Sequence, residues 1–386
     1  MSSKIAAVPF YQHNLHPEQD AARIAAVLAT PFLTSGTVGQ QVEAQLCEYF
    51  GVKHAALTNS WTNGAIATLL ALGVGPGDEV IVPAMTFVAT ANAAEMLGAR
   101  PVFVDVDPGT LLMSADAVRG AIGPATKAII PVHLYGQMVD VEAISVACRS
   151  QTHKIWILED AAHCFEGTRD GLRPCRYSDA ALFSFYATKN VTCAEGGAVI
   201  TNNPELLAKL TATRNHGMSK GALDRFQDGK YQEWDMEVLG MKANLPDVLA
   251  ALLPGQIASI DAMLPTRQAV AARYRAAFTD GPLRLVALDD HCVSAEHLFP
   301  IGVPSEVRDE AIGVLNAHGI GCTVNYRAVP FTRYYRSKYR HSPNEYPVSH
   351  DWGTQTLTLP LYPSLANELQ DRVIEVVTTD IYSLLN

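Results

Sequence analysis

The fold is decided by the stretch Asp179-Ala-Ala-Leu-Phe-Ser-Phe-Tyr-Ala-Thr-Lys189-Asn190. Residues 180–185 are apolar with aromatic side chains two apart, which predicts a strand ending in a polar turn. A further strand is predicted at residues 198–201, after Glu195-Gly-Gly197. Lys189 then lies at the mouth of a buried sheet, where lost hydration lowers an amine's pKa and lets it attack a carbonyl. Taken alone, however, Lys189 fits better as one of the many solvated loop lysines.

A second stretch, Lys154-Ile-Trp-Ile-Leu-Glu-Asp160-Ala-Ala-His163, changes that balance. Residues 155–158 form a continuous apolar run, typical of a parallel strand that is buried on both faces. Two carboxylates follow at its C-terminal end, the edge where open α/β sheets bind ligands. A carboxylate here, together with Lys189 at the end of another strand, is what pyridoxal phosphate requires. The carboxylate keeps the pyridine nitrogen of the cofactor protonated, and the lysine forms the Schiff base. The alternative interpretation of Asp160 is a helix N-cap.

Composition narrows the class of protein. The 386 residues are 48% hydrophobic and 18% charged, which indicates a soluble globular protein with a substantial core. The formal net charge of -10 argues against a nucleic-acid-binding protein, which would usually carry a basic face. The chain is long enough for two or three domains, or for one large and one small domain.

Cellular location is predicted from what the chain lacks. No apolar run reaches about 18 residues, so we expect no transmembrane helix and no membrane partner. The first residues lack the long apolar core of a signal peptide. The 7 cysteines form no CxxC pair, which favours reduced thiols in a cytoplasmic protein over a metal site.

The order of predicted elements gives the architecture. Strand and helix patterns alternate from about residue 52 to 201, which predicts an α/β fold with a mostly parallel, helix-covered sheet. We expect a large domain over residues 1–255 and a smaller α+β domain over 256–386. Helices are predicted at residues 65–72, 111–122, 248–264 and 269–278, and a strand-like segment at 322–326.

Two further segments are candidate ligand contacts. Asn59-Ser60-Trp61-Thr62-Asn63-Gly64 lies between a strand and a helix, and free N–H groups and hydroxyls at a helix start can hold a phosphate. A plain N-capping turn would have the same sequence pattern. Phe87 begins a later helix and can lie flat on a cofactor ring, although a core aromatic fits the spacing as well.

Several stretches in order carry a family likeness. They are Gly75-Pro-Gly-Asp-Glu-Val-Ile-Val-Pro-Ala-Met-Thr-Phe-Val-Ala-Thr90, Pro101-Val-Phe-Val-Asp-Val-Asp107, Ala128-Ile-Ile-Pro-Val-His-Leu-Tyr-Gly-Gln137, Glu159-Asp-Ala-Ala-His163, Phe183-Ser-Phe-Tyr-Ala-Thr-Lys-Asn190, Gly196-Gly-Ala-Val-Ile-Thr-Asn202, Arg214-Asn-His-Gly217 and Leu357-Thr-Leu-Pro-Leu-Tyr-Pro363. From about residue 8 to 375 the chain resembles the DegT/DnrJ/EryC1/StrS aminotransferases, fold-type I pyridoxal-phosphate enzymes that aminate keto-sugars.

The resemblance implies a role for each site residue. Lys189 would be the Schiff-base lysine and Asp160 the partner of the pyridine nitrogen. The other cofactor contacts implied are His163 near the phenolic oxygen, Phe87 stacked on the ring, and Thr62, Asn63 and Ser184 at the phosphate. His216 and Tyr326 align with positions on the substrate side.

The family is usually a homodimer in which the partner subunit completes each site. The resemblance places Lys242 and Asn244 in the segment that reaches the neighbour's cofactor phosphate. Two positions depart from the family pattern: Trp61 replaces a small residue in the phosphate turn, and Asn325 replaces the histidine of a His-Tyr pair.

The expected activity is therefore pyridoxal-phosphate-dependent transamination. An amino group would pass from L-glutamate to a keto or aldehyde group of a sugar, with a nucleotide-activated keto-sugar as the family's usual substrate. Amino-sugar, cell-surface polysaccharide or secondary-metabolite biosynthesis would be the setting. The alternatives are a sugar dehydratase with the same cofactor, against which the retention of Lys189 speaks, and a non-catalytic regulator on the same fold.

Overall fold

A computed structural model describes residues 7–218, 226–227, 230–231 and 233–385. The strands are β1 (His54–Thr58), β2 (Glu79–Pro83), β3 (Arg100–Val104), β4 (Thr126–Ile129), β5 (Trp156–Asp160), β6 (Thr168–Arg169), β7 (Ala180–Ser184), β8 (Gly197–Thr201), β9 (Phe226–Gln227), β10 (Lys230–Tyr231), β11 (Arg284–Leu285), β12 (Cys292–Val293), β13 (Phe299–Gly302) and β14 (Thr356–Leu359). A seven-stranded sheet has the order β1-β8-β7-β5-β4-β2-β3. Its strands β7, β5, β4, β2 and β3 are parallel, and β8 runs antiparallel to both neighbours. The predicted mostly parallel α/β fold is confirmed.

Helices cover both faces of this sheet. They are α1 (Pro17–Leu28), α2 (Thr37–Phe50), α3 (Trp61–Ala71), α4 (Val88–Glu95), α5 (Ala115–Ala121), α6 (Val141–Arg149), α7 (Pro204–Thr213), α8 (Asp247–Ala250), α9 (Leu253–Phe278), α10 (Arg308–Ala317), α11 (Arg333–Tyr339), α12 (Pro347–Gln355), α13 (Asn367–Val376) and α14 (Tyr382–Leu384). Short 3₁₀ turns lie at Leu134–Gly136, Val329–Phe331 and Pro343–Glu345, and a π-turn at Val377–Ile381.

The central strands are apolar on both faces because each face has its own core. Along β7, Leu182 packs with helices α3 to α6, whereas Phe183 packs with α2 and the start of α9. Side chains alternate across a strand, so a continuous apolar run is what a sheet covered on both sides requires. This burial fixes the register of β5 and β7, and with it the positions of Asp160 and Ser184 where the strands end.

A second, smaller sheet of β11, β13 and β14 is antiparallel and has a separate core. The C-terminal region is not confined to that core. Ala328, Phe331 and Trp352 pack into the core of the large sheet, so residues after 320 form part of the wall around the ends of the parallel strands. The division into domains at residue 255 stays a prediction; α9 begins at Leu253 and continues through both regions.

Within the described residues, one helical stretch, Asp247–Phe278, is long and apolar enough by composition to cross a membrane, with 33% of its apolar window buried. The sequence had led us to expect no such helix. In the structure it joins two cores: Ile257 packs below the large sheet, and Tyr274 packs in the second core. Its buried Arg267 forms an ion pair with buried Glu166. These are the contacts of a core helix.

Candidate active site

A cavity of about 540 Å³ opens at the C-terminal ends of the parallel strands. Sequence-predicted residues on its wall are Thr62, Phe87, Asp160, His163, Ser184, Lys189 and Tyr326. They come from five segments of the chain, each placed by the strand or helix next to it. The volume is in the usual range for a small-molecule site.

Lys189 lies in the turn after β7 and is half-buried against the cavity. Its backbone N–H donates to the Tyr186 carbonyl at 2.9 Å, which closes the turn. Burial lowers the pKa of Lys189 from 10.5 to about 8, and the negative charge of Asp160 opposes part of that fall. A lysine amine that loses its proton near pH 8 is a usable nucleophile and proton carrier at physiological pH.

Asp160 is the last residue of β5 and is buried on the cavity wall. Its Oδ1 atom accepts from the Ala162 N–H at 3.1 Å, and its Oδ2 atom from the Thr90 hydroxyl at 2.9 Å. Thr86 lies next in line, with its hydroxyl 3.0 Å from that of Thr90. Burial raises the pKa of Asp160, and these two hydrogen bonds together with Lys189 counteract the rise. A cationic ligand nitrogen would stabilise the ionised form in the same way.

The neighbouring carboxylate, Glu159, has a different use. Because side chains alternate along β5, Glu159 points away from Asp160 and is buried on the other face. It lies 2.6 Å from the His133 Nε2 atom and accepts from the Ser178 hydroxyl at 2.5 Å and the Cys175 N–H at 2.8 Å. Glu159 therefore ties loops to the sheet, and Asp160 is the carboxylate that faces the cavity.

His163 and Tyr326 form a hydrogen-bonded pair on the wall. The His163 Nδ1 atom accepts from the Tyr135 N–H at 3.3 Å, so a neutral ring carries its proton on Nε2 and donates to the Tyr326 hydroxyl at 2.9 Å. Burial, Lys189 and the nearby His297 all hold the pKa of His163 well below its usual value. The Tyr326 hydroxyl thus accepts from His163 and keeps its own proton for another acceptor, because burial raises its pKa.

The predicted phosphate turn is the N-terminus of α3. Ser60 is the N-cap, and its hydroxyl accepts from the Asn63 N–H at 3.1 Å, while the N–H groups of residues 61 and 62 begin the helix. Thr62 lines the cavity, as does Ser184, whose hydroxyl accepts from the Tyr186 N–H at 3.3 Å. The Asn63 side chain donates to Asn59 at 2.9 Å and does not line the cavity.

Two neighbours shape this turn. A Cβ atom on Gly197 would lie 2.7 Å from the backbone of residues 60 and 61, so only glycine lets the turn approach β8 so closely. Trp61 is buried on the wall, and its indole N–H has no hydrogen-bond partner among the described residues. A buried donor of this kind favours a ligand that supplies an acceptor.

Phe87 precedes α4 and is 54% exposed, so it is not a core aromatic. Its ring lies over the cavity, with its centroid 5.6 Å from that of Tyr326. An aromatic side chain exposed at the rim of a cavity is available to stack on a planar ligand.

Besides Asn63, three predicted residues do not line this cavity. The Lys242 ammonium is exposed and donates to Asn215 at 3.4 Å, and Asn244 donates to the hydroxyls of Thr34 and Ser35. His216 is exposed in a left-handed conformation (φ 62°). The structure of one chain therefore places these residues apart from Lys189 and Asp160.

Other contributors were missed by the sequence analysis. Thr90 binds Asp160, the Tyr135 N–H holds the His163 ring, and the His297 ring lies 4.5 Å from that of His163. Asn325, noted in the sequence only as a departure from the family pattern, lines the wall beside Tyr326. Thr90 could have been found, because it is the third residue after Phe87 and an i, i+3 spacing shares one helix face. Tyr135 and His297 come from distant segments and carry no local signal.

These groups fit pyridoxal phosphate. The cavity presents an amine of lowered pKa for an aldehyde, a buried carboxylate for a pyridine nitrogen, a helix N-terminus for a phosphate and an exposed aromatic face for a ring. The buried, unpartnered Trp61 indole N–H adds a donor that such a ligand could satisfy.

Comparison with known proteins supports the same cofactor. The model of the DegT/DnrJ/EryC1/StrS aminotransferase family matches residues 15–378. Among solved structures, Spr1654 from Streptococcus pneumoniae, assigned as a sugar aminotransferase and solved in its PMP form, is 29% identical with a TM-score of 0.91, over 98% of this chain and 100% of that one.

Two further structures are similar over nearly the whole chain. DesV of S. venezuelae, in complex with a ketimine intermediate, is 32% identical with a TM-score of 0.86, over 96% of this chain and 97% of that one. Helicobacter pylori PseC, an aminotransferase involved in pseudoaminic acid biosynthesis, is 27% identical with a TM-score of 0.88, over 98% of this chain and 100% of that one. The chain therefore belongs to the DegT/DnrJ/EryC1/StrS aminotransferase family, and it is a transaminase whose cofactor is pyridoxal 5′-phosphate.

Proposed function

We propose that this enzyme moves an amino group from L-glutamate to a keto or aldehyde group of a sugar, with a nucleotide-activated keto-sugar as the acceptor. The observation that carries the proposal is the cavity that combines Lys189, Asp160 and the N-terminus of α3. Similarity to Spr1654, assigned as a sugar aminotransferase, and to PseC of the pseudoaminic acid pathway supports a sugar acceptor. Such a product would enter amino-sugar, polysaccharide or secondary-metabolite biosynthesis.

Lys189 would hold the cofactor through a Schiff base, and Asp160 would pair with its pyridine nitrogen. Thr62, Ser184 and the free N–H groups at the start of α3 would hold the phosphate. Asn63 would join them only by giving up its bond to Asn59. Phe87 would cover one ring face, and His163 would lie beside the phenolic oxygen.

The bound cofactor supplies an electron sink for the bond that breaks at the amino-acid Cα. The chain supplies the proton handling around it. Lys189, once free, takes a proton from the substrate carbon and returns it to a neighbouring carbon as general base and acid. A cationic nitrogen facing Asp160 would favour its ionised form and offset the rise in pKa that burial causes. The Tyr326 hydroxyl, fixed by His163, donates to a substrate oxygen.

A second copy of the chain is expected to complete the site. Lys242 and Asn244 lie outside their own cavity, which supports a role at a neighbour's cofactor phosphate. Phe32, Leu33 and Leu239 are exposed apolar side chains of the kind that a homodimer interface covers. Light scattering that gives the mass of a single chain for the cofactor-loaded protein would contradict this arrangement. The scattered cysteines, which form no CxxC pair, support a cytoplasmic enzyme.

The direct test is the visible spectrum of the purified protein with pyridoxal phosphate, recorded before and after L-glutamate is added. We expect glutamate to convert the Schiff-base band to the pyridoxamine phosphate band, with release of 2-oxoglutarate. Keto-sugars that reverse the conversion would then identify the acceptor class, and nucleotide-linked sugars should do so at lower concentrations than free sugar acids or cyclitols.

Other outcomes of this test point elsewhere. A band that glutamate leaves unchanged would contradict the amino donor. Formation of a deoxy-keto sugar with ammonia would identify a dehydratase, and failure to take up pyridoxal phosphate at all would favour a non-catalytic protein.

Uptake of the cofactor should depend on pH through Lys189. Only the neutral amine attacks the aldehyde, and the pKa of Lys189 is lowered to about 8. The rate of cofactor attachment to cofactor-free protein should therefore rise about tenfold between pH 6 and pH 7 and level off above about pH 8. Stopped-flow absorbance measures this rate. A rate that kept rising to pH 10 would show that Lys189 has an ordinary lysine pKa.

A further inference from the structure

Tyr135 lies outside the cavity yet contacts four segments that surround it. It is buried in a left-handed conformation (φ 59°), in the turn that follows β4. Its backbone N–H donates to the His163 Nδ1 atom at 3.3 Å, and its carbonyl accepts from the His297 N–H at 3.1 Å. Its hydroxyl donates to the Asn325 carbonyl at 2.5 Å and accepts from the Trp352 indole at 3.3 Å. Every polar atom of Tyr135 is thus in use.

The hydroxyl and the backbone of Tyr135 hold different parts of the wall. The backbone holds the two histidines, and this would survive any substitution that keeps the main chain in place. The hydroxyl alone holds the main chain at Asn325. Because burial raises the pKa of Tyr135, the hydroxyl keeps its proton and remains a donor across the physiological pH range. Tyr135→Phe would therefore remove the link between the large sheet and the segment that carries Tyr326, together with the weaker hydrogen bond from the Trp352 indole.

We propose that Tyr135 is a positioning residue: its hydroxyl fixes the main chain at Asn325 and so places the Tyr326 hydroxyl against His163. The same tyrosine sets both ends of that pair, since its backbone fixes the His163 ring. Tyr135 does not itself line the cavity. The inference rests on the proposed function, in which Tyr326 donates to the substrate.

The test compares Tyr135→Phe, Tyr326→Phe and the double variant as cofactor-loaded protein. Two readouts are used: the rate of conversion by L-glutamate, and the pH midpoint of the absorbance change of the bound cofactor. We expect Tyr135→Phe to slow conversion about fivefold, the factor for one neutral hydrogen bond, and to shift the midpoint in the same direction as Tyr326→Phe. Because Tyr135 acts through Tyr326, the double variant should be no slower than Tyr326→Phe alone.

Tyr274→Phe is the matched control. Tyr274 is also fully buried and donates to a backbone carbonyl, that of Pro360 at 3.1 Å, but it lies in the second core. Tyr274→Phe should also lose stability, because one buried hydrogen bond is removed, but it should leave both readouts unchanged. If Tyr135→Phe behaves like Tyr274→Phe, or if its effect multiplies with that of Tyr326→Phe, the positioning role is overturned. If Tyr326→Phe itself has no effect, it is the proposed function of Tyr326 that fails.

Discussion

Lys189→Ala is expected to lower the rate of glutamate-driven transamination by at least about 10⁴-fold, because it removes both the covalent anchor and the proton carrier. The fold should remain intact. Lys189 is half-buried and its pKa is lowered to about 8, so below that pH the folded state pays to keep the amine charged, and alanine relieves that cost. Pyridoxamine phosphate should still bind, since it needs no covalent bond. Single-turnover absorbance and a cofactor-binding titration measure the two properties.

Lys209→Ala provides the matched control, because Lys209 is an exposed lysine on α7. It should match the wild-type protein in both measurements. Added methylamine should restore part of the activity to Lys189→Ala and none beyond the starting level to Lys209→Ala. Turnover near the wild-type rate in Lys189→Ala would refute the assignment of this lysine.

Asp160→Asn is expected to reduce the same rate by about 10³-fold, the size of effect seen when a buried electrostatic contact to a reacting group is removed. The amide has nearly the same shape but only one acceptor oxygen, so it can accept from the Ala162 N–H or from the Thr90 hydroxyl but not from both, and what is lost is the charge together with one hydrogen bond. The same substitution should not lower the stability of the cofactor-free protein, although it lowers the activity. Burial raises the folded-state pKa of Asp160, so ionisation destabilises the cofactor-free protein at neutral pH. Asparagine should leave its thermal midpoint equal or higher.

Thr90→Val separates charge from orientation. It removes one hydrogen bond to Asp160 while keeping the carboxylate, and a loss of about tenfold is expected. If Asp160→Asn lost no more activity than Thr90→Val, the charge of Asp160 would not be what the reaction uses. Pyridoxal phosphate binding by both variants, followed by absorbance, shows whether the site is still occupied.

The elements around Lys189 and Asp160 could be predicted because their signals are local. Continuous apolar runs placed β5 and β7, and polar residues at their ends marked the edge of the sheet. The predicted starts of helices were less accurate where an N-capping side chain decides the first residue. The helix expected from residue 65 begins at Trp61 because Ser60 caps it, and the one expected from residue 111 begins at Ala115 because Ser114 does.

In two other places long-range packing overrides the local pattern. The long helical connector expected over residues 248–264 and 269–278 is, from Leu253, a single helix that continues without a break through Pro265. The strand-like segment 322–326 forms only an isolated bridge, Thr323 with Thr358, because its backbone is held by the wall instead. Tyr135 and His297 could not be assigned to the wall from sequence, since their partners are more than 25 residues away.

The cavity wall also has a consequence for how the protein is made. Phe10, Lys189 and Tyr326 all line it, and Val8 pairs with Ile320, so the wall needs the first residues and the last third of the chain together. A nascent chain leaving the ribosome has no such wall until synthesis has passed residue 326, although its central sheet can already form. Cofactor loading is therefore expected to be a late event, and absorbance of bound pyridoxal phosphate would report that the two ends of the chain have met.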